Sequence, residues 1–141
     1  MEVLGKGVKG RRGLMVVSGP PGTGKTLTCQ QMAVESDAVY IRCNFVDTPR
    51  SLLKAVVEEL GGEGRGYTGK LFDQAKDQLI SHSRPIIFDE ADYLTDGKGI
   101  IEIVRDLNDA TNSPMIISGM EHLDKKLHRF PHLVDRICAA V

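Results

Sequence analysis

The sequence predicts an α/β fold, a three-layer αβα sandwich built on a parallel, five-stranded sheet. Three observations predict it. Apolar runs such as Leu14-Met15-Val16-Val17 and Ile86-Ile87-Phe88 are continuous, not alternating, as in strands covered on both faces. Between them lie segments whose apolar residues recur at helical spacing. The regular alternation of the two calls for crossover connections, and so for parallel strands. The 141 residues, 41% hydrophobic and 26% charged, suit one core.

Taken in order, residues 1–13 carry Lys6, Lys9, Arg11 and Arg12 among glycines and read as an arm or linker leading to a core at 14–141. This basic cluster is either a solvated arm or a DNA contact. Leu14-Met15-Val16-Val17-Ser18 is the first strand, and 27–34 reads as a helix. Residues 38–43 form the second strand. Thr48 then caps a helix with Pro49 at its first position. Leu52, Leu53, Val56, Val57 and Leu60 give that helix one apolar face, and Gly61-Gly62 ends it. A loop with glycines at 62, 64, 66 and 69 precedes a helix at about 70–82, with Leu71, Phe72, Ala75 and Leu79 inward. Residues 85–90 form a buried strand ending in two carboxylates. Gly97-Lys98-Gly99 is a turn, and Ile100, Ile101, Val104 and Leu107 form a helix face. Met115-Ile116-Ile117-Ser118 is the next strand. Residues 121–129 read as helical, Pro131 opens a short helix through about 136, and 137–141 is a fifth strand.

The first strand runs into Gly19-Pro20-Pro21-Gly22-Thr23-Gly24-Lys25-Thr26, a GxxxxGKT loop in the strand–loop–helix context that a phosphate-binding loop needs. Glycines let the backbone curl around an anion, so that its N–H groups point inward. The helix N-terminus adds positive partial charge. The predicted nucleotide-binding set is Gly19, Pro20, Pro21, Gly22, Thr23, Gly24, Lys25, Thr26 and Leu27. Lys25 is expected on the β- and γ-phosphates, with Thr26 on Mg²⁺. Ligands of such sheets bind at the carboxyl ends of strands. Asp89 and Glu90 end a strand there. Asp89 is the expected second metal-handling group, and Glu90 the residue that orients or deprotonates the attacking water.

Three further roles stay open. Ser118 is a candidate sensor of the γ-phosphate, unless Gly119 occupies that place and Ser118 is a strand-end hydroxyl. Arg136 and Arg129 are candidates for an arginine that acts on a neighbouring subunit's site, against a helix-end surface role for each. Asn44 either holds Glu90 in an inactive pose or closes an Asx turn.

Composition narrows the partners. Eighteen basic and nineteen acidic residues leave a net charge of −1, so any DNA binding needs local patches or oligomerisation. There is no tryptophan, and aromatics make up 5%, too few for a base-stacking platform. Three cysteines without CxxC spacing fit neither a disulfide framework nor a zinc site, and a reducing cytoplasm is the expected compartment. No apolar run approaches the roughly 18 residues of a membrane span.

GPPGTGKT together with IIFDEAD resembles the AAA+ ATPases. The stretches AVYIRC, TPRSLL, DEADYL, IVRDLNDA and GMEHL are similar to one branch, the phage-type DNA transposition ATPases. The resemblance implies a protein that binds ATP and Mg²⁺ and assembles head to tail on double-stranded DNA as a helical filament. It implies that such a protein engages a transposase and releases DNA on hydrolysis. By position it puts Lys25 and Glu90 in catalysis, and places Arg136 where related proteins carry a trans-acting arginine. It also implies DNA contacts from basic residues, with Arg65 and Lys70 as candidates. AAA+ proteins also carry a small helical lid after the fifth strand. The sequence stops at Val141, so the expectation is a core without that lid and with weak hydrolysis. Two other readings stand beside this one: a nucleotide-gated protein-binding module with little turnover, and another AAA+ task such as helicase loading or secretion.

Overall fold

The computed structural model describes residues 13–20, 22 and 24–140. The basic arm read at 1–13 therefore lies, except for Gly13, outside the described residues, as do Pro21, Thr23 and Val141.

Five parallel strands form one sheet in the order β2-β3-β4-β1-β5. They are β1 (Leu14–Ser18), β2 (Val39–Arg42), β3 (Ile86–Asp89), β4 (Met115–Gly119) and β5 (Ile137–Ala140). The helices are α1 (Lys25–Ser36), α2 (Pro49–Glu59), α3 (Thr68–Ser81), α4 (Ile100–Thr111), α5 (Leu123–Leu127) and α6 (Pro131–Val134). The expected three-layer architecture is observed. The chain crosses from β1 to the far edge at β2 and steps back through β3 and β4 to β1's side. It then passes to the other edge at β5. β1 thus marks the point where strand order reverses, and such a point opens a crevice at the carboxyl ends.

The alternation of side chains along each strand divides the core in two. Leu14, Val16, Ile86, Phe88, Met115 and Ile117 face a large cluster with α2, α3, α4 and the short helices. Met15, Val17, Ile87 and Ile116 face the other way, onto Cys29 and Met32 of α1. Every one of these strand residues is buried, which is why the runs read as continuous apolar segments.

Helix starts and stops follow local chemistry. Thr48 and Ser51 form a reciprocal capping box at α2, with Pro49 at its first position. Asn112 takes the left-handed conformation (φ 56°) that closes α4, and its N–H donates to the Asn108 carbonyl. α1 starts two residues earlier and ends two later than 27–34, so Lys25 and Thr26 sit in its first turn.

Two expectations need correction. The segment 121–129 is not one helix: only Leu123–Leu127 is helical, a single turn pinned by the buried pair Leu123 and Leu127. Its flanking residues lack the apolar contacts that would extend it. The second short helix ends at Val134, before Asp135 and Arg136. A 3₁₀ turn over Ala91–Thr95, not anticipated, carries the chain away from the two carboxylates.

Candidate nucleotide site

At the carboxyl edge of the sheet, a cleft of about 600 Å³ opens between the glycine loop and the ends of β3 and β4. That size falls within the range of small-molecule sites, roughly 300–1,000 Å³. Gly22, Gly24, Lys25, Thr26 and Leu27 line one side; Asp89, Glu90 and Asp92 line another; Gly119, Met120, His122 and Lys126 close the third. Strand order explains this convergence. β4 lies between β1 and β3, so the end of β4 sits between the loop and the carboxylates.

Two glycines of the loop take backbone that suits their residue type. Gly22 and Gly24 both take left-handed φ (83° and 79°), which a side chain would strain. Gly24 sits at the N-cap of α1 without any side-chain cap, so the helix's first N–H groups have no side-chain acceptor there. Lys25 folds back over the loop, its ammonium donating to the carbonyls of Gly19 (2.6 Å) and Pro20 (3.0 Å).

Asp89 is 2% exposed, yet it lines the cleft. A buried carboxylate needs donors, and among the described residues it has two. The Tyr40 hydroxyl donates to Oδ2 at 2.6 Å, and the Glu90 N–H donates to Oδ1 at 2.9 Å. Burial, and then the bond to Asp89 and its charge, push the Tyr40 phenol well above its ordinary range, so it stays a donor. Glu90 is half-exposed and held in left-handed backbone (φ 54°). Arg42 grips it with two hydrogen bonds, Nε to Oε2 at 2.9 Å and Nη2 to Oε1 at 3.3 Å.

This arrangement decides between the two readings of Asn44. Asn44 does not hold Glu90. Its side chain accepts from the Val46 N–H at 3.1 Å and its own N–H donates to Asp47 Oδ2 at 2.9 Å, closing an Asx turn. Arg42, two residues earlier and paired in register with Asp89, occupies the place beside Glu90. Ser118 is fully buried and does not line the cleft, whereas the next residue, Gly119, does. The Ser118 hydroxyl lies near the Cys29 thiol of α1 and has no well-formed hydrogen bond. Burial raises the Cys29 thiol, a shift that the hydroxyl partly offsets, so Cys29 is a protonated core residue.

Asp92 is a further organising residue, missed by the sequence reading. Its Oδ2 accepts from the Met120 N–H at 2.9 Å, and its Oδ1 pairs with Lys126 Nζ at 3.1 Å. It thereby ties the 3₁₀ turn to the end of β4 and to α5. The only forward signal was DEAD itself, whose last acid reads equally well as a solvated turn residue.

The other candidates lie elsewhere. Arg136 precedes β5 at the amino edge of the sheet, where Asp109 accepts from its Nε at 2.7 and 2.8 Å and the His132 carbonyl accepts from Nη1. Arg129 lies beside the α5–α6 junction, with its Nε donating to the Lys126 carbonyl at 3.4 Å. Arg65 lies in the loop between α2 and α3 and Lys70 in the first turn of α3, both outside the cleft. Arg65 faces Glu63 loosely at 3.7 Å, and the Lys70 stem lies against Gly66. Arg50 joins them, donating to the Gly66 carbonyl at 3.0 Å.

The donor set fits a nucleotide with Mg²⁺. Among the described residues no group of three or more His, Cys, Asp or Glu side chains forms a cation cage. Mg²⁺ bound with nucleotides needs none: one or two protein oxygens and the phosphates hold it. Thr26 and Asp89, both on the cleft wall, would supply those oxygens. Each Asp89 oxygen accepts one protein bond and keeps further acceptor capacity.

Fold and cleft together define a P-loop nucleotide-binding α/β protein. The AAA domain family's profile matches residues 8–127, and the chain belongs to that family. No curated protein matches it in sequence. Among solved structures it is similar to the Orc1 protein of Aeropyrum pernix in complex with DNA (TM-score 0.74, 18% identity, 99% of this chain and 42% of that one). It is also similar to a DNA replication initiation factor (TM-score 0.62, 15% identity, again 99% and 42%). At these identities the likeness is one of fold. The chain spans 42% of the length of each of these two proteins. Among the described residues, no helix is long and apolar enough to cross a membrane.

Proposed function

We propose that the chain is an ATPase module that acts on double-stranded DNA in a nucleotide-dependent assembly. The observation that carries this reading is the convergence of Lys25 and Thr26 with Asp89 and Glu90 on one cleft. Lys25 exchanges its two loop carbonyls for the β- and γ-phosphates. Thr26 and Asp89 hold the Mg²⁺, which when bound neutralises charge building on the phosphate oxygens. Glu90, freed from Arg42, orients and deprotonates the attacking water. Gly119 and Met120, held by Asp92, stand at the γ-phosphate end. Arg50, Arg65 and Lys70 offer a basic patch for the DNA backbone, and the near-neutral net charge favours many weak contacts along a filament over one tight site. Regulation of DNA transposition, with a transposase as partner, is the task the sequence resemblance supports.

A second reading, a replication-initiation or helicase-loading role, is favoured by the fold likeness to Orc1 and to the initiation factor. Both readings share the ATPase cycle and DNA. They part at the protein partner.

The test is ATP hydrolysis with and without double-stranded DNA across a range of protein concentrations. The expected result is stimulation by DNA that steepens with protein concentration. Glu90→Gln is expected to keep ATP binding and to lose ~10²–10⁴ in turnover, the usual worth of a general base. Wild-type turnover in Glu90→Gln would remove Glu90 from catalysis. Flat, negligible turnover with intact ATP binding would favour the nucleotide-gated binding module.

A further inference from the structure

We propose that Tyr40 is a positioning residue for the metal-handling carboxylate: it fixes Asp89 in the orientation that Mg²⁺ requires. The inference rests on reading the cleft as an ATP–Mg²⁺ site. It starts from register. β2 and β3 pair with Tyr40 opposite Ile87, so Asp89 is the diagonal neighbour two residues on, on the same face of the sheet. Diagonal neighbours lie about 7–8 Å apart, a gap that aromatic and long side chains can span. A serine or threonine at this position would be too short to reach. The Tyr40 ring packs against the apolar cluster beneath α1 that holds Cys29, Met32 and Ile87, and its hydroxyl lies at the strand end, 2.6 Å from Asp89 Oδ2.

The Glu90 N–H takes the other oxygen at 2.9 Å. The two donors come from different segments, β2 and the turn that follows β3, and engage different oxygens, so together they fix the carboxylate's rotation. Because Asp89 is only 2% exposed, losing a donor leaves a nearly buried carboxylate oxygen short of a partner. Arg42, two residues beyond Tyr40 on the same face, serves Glu90 in parallel. β2 thus seats both carboxylates, one with each of two alternate residues.

Partners of this kind, acting through a metal ligand, typically change metal affinity by ~10–100-fold when removed. Tyr40→Phe keeps the ring and deletes only the donor. The experiment follows binding of a fluorescent ATP analogue, first in EDTA and then during Mg²⁺ titration. The expected result is an unchanged affinity in EDTA and a Mg²⁺ midpoint raised about tenfold or more. In an Asp89→Asn background, Tyr40→Phe should shift the midpoint no further, because the two act as one unit. An unshifted midpoint in Tyr40→Phe would overturn the proposal. So would a parallel loss of affinity in EDTA and in Mg²⁺, which marks a merely structural residue. Wild-type binding with no response to Mg²⁺ would overturn the reading of the cleft itself.

Discussion

Glu90 occupies left-handed backbone, which costs a residue with a Cβ about 1–2 kcal/mol. Such strain persists where surroundings over-determine it. Here the Arg42 fork holds the side chain while the Asp89 carboxylate holds the N–H. Arg42 is two-thirds exposed, and pairs of this exposure hold weakly. Release of Glu90 is therefore an accessible step, and under the proposed ATPase function Arg42 would be a restraint that the catalytic cycle has to open. Arg42→Ala is expected to raise DNA-free ATP turnover a few-fold with nucleotide affinity unchanged, measured by steady-state phosphate release. A fall in turnover would instead mean that Arg42 aims Glu90 productively. This restraint could not be read from the sequence. Arg42 and Glu90 are 48 positions apart, and only the β2–β3 register brings them together. The residue type of Asn44 suits either role, and the structure shows the Asx turn, which uses its polar groups locally.

Among elements, those governed by neighbours in sequence were legible. The start of α2 was read correctly from Thr48-Pro49, because a cap depends on residues three apart. The glycine loop was legible for the same reason. The segment 121–129 was not, because its charged residues permit a helix while only Leu123 and Leu127 find apolar partners. The clamp by Asp92 was hidden as well: it joins residues 28 and 34 positions away. It explains why the end of β4 carries a glycine. A Cβ on Gly119 would collide with the Asp92 carboxylate and stand 2.8 Å from Leu123 Cδ2. Gly119→Ala is expected to destabilise by about 1–3 kcal/mol, as overpacked sites do, and to lower the melting temperature by several degrees. Adding Asp92→Ala removes the main obstacle, so the double variant should lose less than the sum of the two single losses. Simple additivity in thermal melts would show that the collision is relieved by other means.

At the scale of the whole molecule, the sheet separates Arg136 from the cleft. Arg136 leads into β5, its carbonyl accepting from the N–H of Leu14, the first residue of β1. The glycine loop leaves the other end of β1, five residues on. That distance is about 15 Å at the rise of a parallel strand. Arg136 therefore cannot stabilise transition-state charge in its own cleft; if it acts in catalysis, it acts on a neighbour's. In its own chain it is engaged with Asp109, so a finger role requires the neighbour's nucleotide to compete with that carboxylate. These constraints define a decisive comparison on DNA. Arg136→Ala is expected to lower DNA-stimulated turnover by ~10³ or more, the worth of an arginine finger, and Lys25→Ala to abolish it through lost phosphate contacts. Mixed together, the two inactive proteins should regain activity, because a Lys25→Ala subunit still presents its arginine to the intact cleft of an Arg136→Ala neighbour. Asp109→Asn supplies the control: it breaks the internal pair without removing the arginine, and it should leave turnover near wild type. If Asp109→Asn is as inactive as Arg136→Ala, and the mixture stays silent, then the Arg136–Asp109 pair is a brace between α4 and β5, and the subunits complete their sites with another residue.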